Sequence, residues 1–186
     1  MLYCFNVCDF YLNVLMFNVM EINALQSVRL FGLWDQPRSV VSWDDLKAFG
    51  HSWRMLRTQY EFSATDLKTI QPDKAEWILR GQLTLHDLPD MLVFPINPYT
   101  DMGADIGEVW SMGWPVELQV MMGVTYGQMH TRGLTPQIMS YFNFPLSQWQ
   151  ALQFTQSDAE KLHEHEVQDI FSISKPELLT ITQEIV

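Results

Sequence analysis

The sequence predicts an all-α fold, a solenoid-like superhelix of short helices of about two turns that repeat every 10–11 residues. Three observations predict it. Cut into tens from Gly113, the chain reads GWPVELQVMM, GVTYGQMHTR, GLTPQIMSYF, NFPLSQWQAL, QFTQSDAEKL, an internal repeat that decides architecture before any local reading. The third column (Pro115, Thr125, Thr135, Pro145, Thr155) has the character of a helix N-cap. The first column (Gly113, Gly123, Gly133, Asn143, Gln153) places Gly or Asn where a preceding helix would end in the left-handed conformation.

A unit can be read residue by residue. A Ser or Thr cap accepts from a first-turn N–H, and an acid or amide three residues on reaches back, as in Thr125 with Gln128 and Thr155 with Asp158. Thr135 is followed by Pro136, which suits the first helical position because its missing N–H has no partner there. Apolar residues flank each cap as a staple: Val124 with Met129, Leu134 with Met139, Phe144 with Trp149. One continuous helix is excluded, since ten residues at roughly 100° each do not return to one face. Helices this short are unstable alone, so each must bury its staple and its tenth-column residue (Met122, Arg132, Phe142, Leu152, Leu162) against neighbours.

In chain order, residues 1–19 form an apolar N-terminal extension without Lys or Arg, which lacks the positive start and cleavage site of a signal peptide. Three readings stand for it: an element capping the solenoid, an extension ahead of a start at Met20, or a membrane or interfacial anchor. Residues 20–38 hold a leading amphipathic helix, Glu21 to Phe31, and a turn, Trp34 to Arg38. Residues 39–186 are the repeat domain. There Ser42 pairs with Asp45, Ser63 with Asp66, Asp73 with Glu76, Thr84 with Asp87, Asp105 with Glu108 and Ser174 with Glu177. Ser52 and Pro95 fill the cap slot without the acid. Four after the caps stand Leu46, Leu56, Leu67, Trp77, Leu88, Tyr99 and Val109, the expected core column. With Met129, Met139, Trp149 and Leu178 they are expected to share one core with Phe62, Leu83, Leu134, Phe144 and Phe154. Residues 92–100 and 163–171 read as irregular units.

Units such as GVTYGQM, GLTPQIM and EFSATDL resemble the tandem short-helix decapeptides, Gly–apolar–Ser/Thr–x–x–acid–Leu, of repeat proteins of large DNA viruses and some microbes. The resemblance covers about Val41 to Ile181. It implies a repeat scaffold and brings no catalytic residue with it.

Composition bounds the function. The net charge of −11 opposes nucleic-acid binding, which needs Lys and Arg facing phosphates, and favours a basic protein partner; an acidic, soluble surface is the ordinary explanation. The two cysteines, Cys4 and Cys8, make no disulfide framework and no zinc site, so an intracellular, non-secreted protein is expected. His163-Glu164-His165-Glu166 resembles metal chemistry only superficially, because histidines two apart on a helix point about 200° from each other. The acids Asp44, Asp45, Asp66, Asp87, Asp90, Asp101 and Asp105 fall mostly in cap or first-turn slots, where they offset the helix dipole. His51, His86 and His130 read as surface or partly buried structural residues. No nucleophile elbow or phosphate loop is present, and no cofactor is expected. Trp77 and Trp149 occupy staple slots. Trp43 and Trp53 directly follow caps and are the expected exposed partner-binding residues, with Asp44 and Asp45 beside them. The functional expectation is a non-enzymatic scaffold for protein–protein interaction. The alternatives are a structural component of an assembly such as a virion, and an acidic mimic of nucleic acid.

Overall fold

The computed structural model describes residues 41–48 and 50–184. The expectations for the extension 1–19 and for the helix and turn in 20–38 lie outside the described residues. The described residues form an all-helical fold, with no strand among them. Its α-helices are α1 (Trp43–Ala48), α2 (Trp53–Thr58), α3 (Ala64–Ile70), α4 (Lys74–Arg80), α5 (Ile106–Ser111), α6 (Val116–Met121), α7 (Tyr126–Thr131), α8 (Pro136–Phe142), α9 (Leu146–Ala151), α10 (Gln156–Lys161), α11 (Glu164–Phe171) and α12 (Lys175–Gln183). A 3-10 helix, Leu85–Met91, lies between α4 and α5.

The caps act where the sequence places them. Ser63 accepts from Asp66 N–H at 3.0 Å, while Asp66 accepts from Ser63 N–H at 2.9 Å. The same reciprocal pair joins Asp105 to Glu108, Thr125 to Gln128 and Thr155 to Asp158. Ser52 caps Met55 N–H, and Thr135 caps Ile138 N–H. One pair differs. Asp73 accepts from Ala75 N–H at 2.9 Å, and Glu76, rather than reaching back to Asp73, accepts the indole N–H of Trp43 at 3.0 Å.

The helices end as the first column foretells. Gly50, Gly103, Gly113, Gly123, Gly133 and Asn143 all have positive φ. So do Glu61, Gln82, Gln153 and Ser172, side chains that adopt the left-handed conformation only at a cost. Position in the repeat therefore overrides residue preference at these four turns.

The core column is buried without exception. Leu46, Leu56, Leu67, Trp77, Leu88, Tyr99, Val109, Met129, Met139, Trp149 and Leu178 are each at most 2% exposed. The units headed by Pro115, Thr155 and His163 add Gln119, Ala159 and Val167 to that column, also buried. Leu83, Leu134 and Phe154 are buried with them, whereas Phe62 and Phe144 are half-buried; of the tenth column Met122, Phe142, Leu152 and Leu162 are buried, but Arg132 is exposed, because its charged head is costly to take out of water. The expected single core is two clusters. One runs from Val41 to Ile96 and includes Met122; the other runs from Tyr99 to Leu178, and half-buried Leu85 and Trp114 pack against both.

The boundary between the clusters falls in residues 92–104, where the Pro95 slot opens no helix. Pro98 disfavours helical backbone at the residue before it, Asn97. The Asn97 side chain instead accepts from the N–H groups of Tyr99 (2.9 Å) and Thr100 (3.2 Å) and donates to Gly123 O (2.7 Å) and Gln128 (2.9 Å). Residues 163–171, expected to be irregular, form a regular helix: His163 caps α11, and its N–H donates to Glu166 at 2.7 Å. The eight-residue step from Thr155 to His163, shorter than the usual ten, obscured that cap in the sequence.

Distant units meet at one recurrent separation. Hydrogen-bonded side chains join Arg54 to Asp87, Lys68 to Val93 O, Lys74 to Asp101, Asn97 to Gln128 and Arg132 to Tyr99 O, pairs 25 to 33 residues apart. Ring pairs cover a similar span: Trp43 on Trp77 at 4.5 Å, Trp110 stacked on Phe142 at 4.0 Å, and Tyr126 edge-on to Phe154 at 4.9 Å. Helix α6 packs on α9 and α8 on α11, whereas the last helix, α12, packs on α10 and α11.

Candidate functional site

Trp53 is fully buried, which corrects the expectation that it stands on a partner surface. Its ring meets Trp77 edge-on at 5.0 Å and Phe94 at 6.1 Å. Trp43 is half-buried, tilted against Trp77, with its indole N–H on Glu76 and the Lys47 ammonium 5.9 Å from its ring. The cause is geometric. The first helical residue and the core residue are three positions apart, so Trp43 shares a face with Leu46 and Trp53 with Leu56. Asp44 is exposed and pairs with Lys47 at 2.7 Å; the hydrogen bond and charge of Lys47 hold its carboxyl below the usual range. Asp45 accepts the Ser42 hydroxyl at 2.6 Å and so completes a cap.

The histidines are dispersed. His51 is buried beside Tyr60, with ring centres 4.9 Å apart, and burial pushes its pKa down. His86 and His130 are exposed. The rings of His163 and His165 do not point apart as expected on a helix but stack 5.7 Å from each other, because His163 is the cap and its backbone is extended. Among the described residues no group of three His, Cys, Asp or Glu side chains is disposed to hold a metal. No described helix is long and apolar enough to cross a membrane.

Every Lys and Arg among the described residues is engaged within the chain. Lys47, Arg54, Arg57, Lys74, Arg80 and Lys161 pair with carboxylates. Lys68 donates to Val93 O, Arg132 to Tyr99 O and Gly103 O, and Lys175 to the carbonyls of Glu160 and Leu162. Exposed acids such as Glu61, Glu117, Glu164 and Asp169 have no comparable bond to a cation among the described residues, so the remaining field is negative.

No family model matches the chain, and no curated protein or solved structure is significantly similar to it.

Two features remain that a partner could use. Among the described residues the exposed large aromatics are Trp110 (46%) on α5 and Tyr141 (82%) on α8, helices joined by the Trp110–Phe142 stack. They sit five and six positions after their caps, off the buried face. That spacing is visible in the sequence and would have favoured them over Trp43 and Trp53. The second feature is a cleft of ≈ 340 Å³ bounded by α7, α10 and the start of α11. Tyr126, His130, Asp158, Lys161, His163 and Glu166 line it. Tyr126 is 7% exposed and wedged between Phe154 and Trp149. Burial, then the charges of Asp158 and Glu166, push its phenol up to about 12. Burial works to raise Asp158, but hydrogen bonds from the Thr155 hydroxyl and N–H and the adjacent Lys161 hold its carboxyl below the ordinary range.

Proposed function

We propose that this chain is a non-enzymatic, solenoid-like repeat scaffold that binds another protein. The observation that carries the reading is the recurrent contact between units 25 to 33 residues apart, about three units. A chain built that way stacks its buried column inward and turns its remaining positions into an extended surface. Many polar residues of each unit serve as caps, most of the large apolar residues serve as core, and cations such as Arg54, Lys68, Lys74 and Arg132 tie one unit to another. What remains for a partner is acidic surface with a few aromatic anchors, which suits a basic protein rather than a nucleic acid.

The experiment is affinity capture from native extract, comparing the intact chain with the Trp110→Ser, Tyr141→Ser double variant. Circular dichroism of the variant should match the parent, and a partner seen with the parent should be captured at least tenfold less. A variant that captures the same proteins equally well removes this surface from the proposal. Turnover of a substrate by the purified chain, abolished by changing His163 and His165, ends the non-enzymatic reading.

A further inference from the structure

A third surface lies where the stack of units ends. Helices three apart pack together as far as α8 on α11, whereas α12 packs on α10 and α11. The start of α9 is left beside a groove of ≈ 370 Å³. One wall is Phe144, Pro145 and Leu146, where α9 begins; the other is Phe171, Ile173 and Ile181, at the end of α11 and on α12. Ile181 is 37% exposed, so this apolar groove opens to solvent. The two walls differ in charge. Residues 118–157, which include the first, hold no Asp, Glu or Lys. Residues 162–184, which include the second, hold five acids, Glu164, Glu166, Asp169, Glu177 and Glu184, against one Lys. That lysine, Lys175, already donates to the carbonyls of Glu160 and Leu162. Along α12, Glu177, Ile181 and Glu184 stand at i, i+4 and i+7, so an acid flanks the isoleucine on each side of one helix face. Both acids are exposed, and Glu177 caps Ser174 through Oε2. The C-terminal end of α11, the negative end of its dipole, reaches the same groove.

We propose that this groove seats one apolar side chain of a basic amphipathic helix in a protein partner, with Lys or Arg one turn away on either side. The inference rests on the scaffold reading and gives its partner a chemistry and a spacing. Seven residues of helix rise about 10 Å, so cations seven apart on the partner meet Glu177 and Glu184 while an apolar residue between them enters beside Ile181. Charge decides among the occupants. A second copy of this chain would bring the same five acids against these. Residues 1–19 are apolar but carry no Lys or Arg to meet the acids. At ≈ 370 Å³ the groove is at the small end of ligand sites, which suits one anchoring side chain.

The test uses the full chain and a synthetic helical peptide with Lys, Leu and Lys at i, i+4 and i+7 in an Ala/Gln background, followed by NMR and fluorescence anisotropy. Saturable shifts should centre on Phe171, Ile173 and Ile181. The peptide with Ala in place of Leu should bind at least about tenfold more weakly, since the anchor's buried area is lost. The peptide with its lysines moved to the opposite helix face keeps its charge and should bind about fivefold more weakly. Glu177→Gln with Glu184→Gln keeps an acceptor for the Ser174 cap and should weaken the parent peptide by a similar factor with an unchanged melting curve. Ile181→Ser should abolish saturation while circular dichroism is retained, and the peptide series tests the anchor even where that variant unfolds. Equal binding of the Ala peptide or of the opposite-face peptide overturns the proposal, as do shifts that spread over Asp44 and Glu117 without saturating. Sedimentation showing a dimer that Ile181→Ser dissolves assigns the groove to a second copy and overturns it too. A full chain that ignores the peptide ends the proposal even where Trp110 and Tyr141 capture a protein. Saturable binding in a chain that captures no protein from extract keeps the groove and ends the scaffold reading.

Discussion

Truncating Trp149 to Ala tests the packing within an aromatic cluster of the core. The residue is fully buried on α9. Its ring lies parallel to Phe142 at 6.0 Å, tilted to Phe144 at 5.3 Å and edge-on to Tyr126 at 6.2 Å. Removing a buried Trp costs about 3–5 kcal/mol, including the cavity left behind. One effect opposes this loss. Among the described residues the indole N–H has no hydrogen-bond partner, and deleting an unsatisfied buried donor returns about 1–3 kcal/mol. The expected net loss is therefore about 2 kcal/mol. Trp149→Phe keeps most of the ring and removes the orphaned N–H, so it should cost no more than about 1 kcal/mol. Urea unfolding followed by circular dichroism measures both, and an unchanged slope shows that the unfolded reference has not moved. An Ala variant that loses under about 1 kcal/mol, or a Phe variant as damaging as the Ala one, refutes the reasoning.

Other outcomes follow from the same structure. Gln153 holds the left-handed position that Gly occupies in earlier units, with φ 65, so Gln153→Gly should stabilise by up to about 1 kcal/mol, while Gly133→Ala at φ 97 should destabilise by at least as much; thermal melts check both. Asp87 is 5% exposed and accepts from Thr84 N–H, the Thr84 hydroxyl and Arg54, so Asp87→Ala should cost about 2–3 kcal/mol in urea titration. Arg54 is largely exposed, and Arg54→Ala should cost under about 1 kcal/mol. Burial lowers the pKa of His51, so the unfolded chain binds the proton more readily; that contribution to stability is complete above its unfolded pKa of about 6.5 and lost as pH falls below it. The fall in melting temperature between pH 7.5 and 5.5 should accordingly shrink in His51→Phe.

Much of this fold is legible in the sequence because each unit repeats a local instruction. A cap such as Thr155, its acid Asp158 and the core residue four positions on can be read within one helical turn, and the helix starts follow from them. The interruption at residues 92–100 is also legible, since Pro98 disfavours helical backbone at Asn97. The cap at His163 was hidden because His is not a favoured cap, and its partner Glu166 lies in a run of charges that reads as plain solvated surface. Exposure was the harder problem. Trp53 and Trp110 are alike as letters, and only their positions relative to a cap, one and five, put the first inside and the second outside. The cleft at Tyr126 could not be read at all, because Tyr126, Asp158 and Glu166 belong to units brought together by packing between helices.

The central claim is that units about three apart stack on one another. Aromatic nuclear Overhauser spectroscopy on the intact chain measures this directly. Cross-peaks are expected between Trp43 and Trp77, Trp110 and Phe142, and Tyr126 and Phe154, whose ring centres lie 4.0 to 4.9 Å apart. Cross-peaks confined to neighbours within a unit or between adjacent units, with none of these three pairs, would contradict the account.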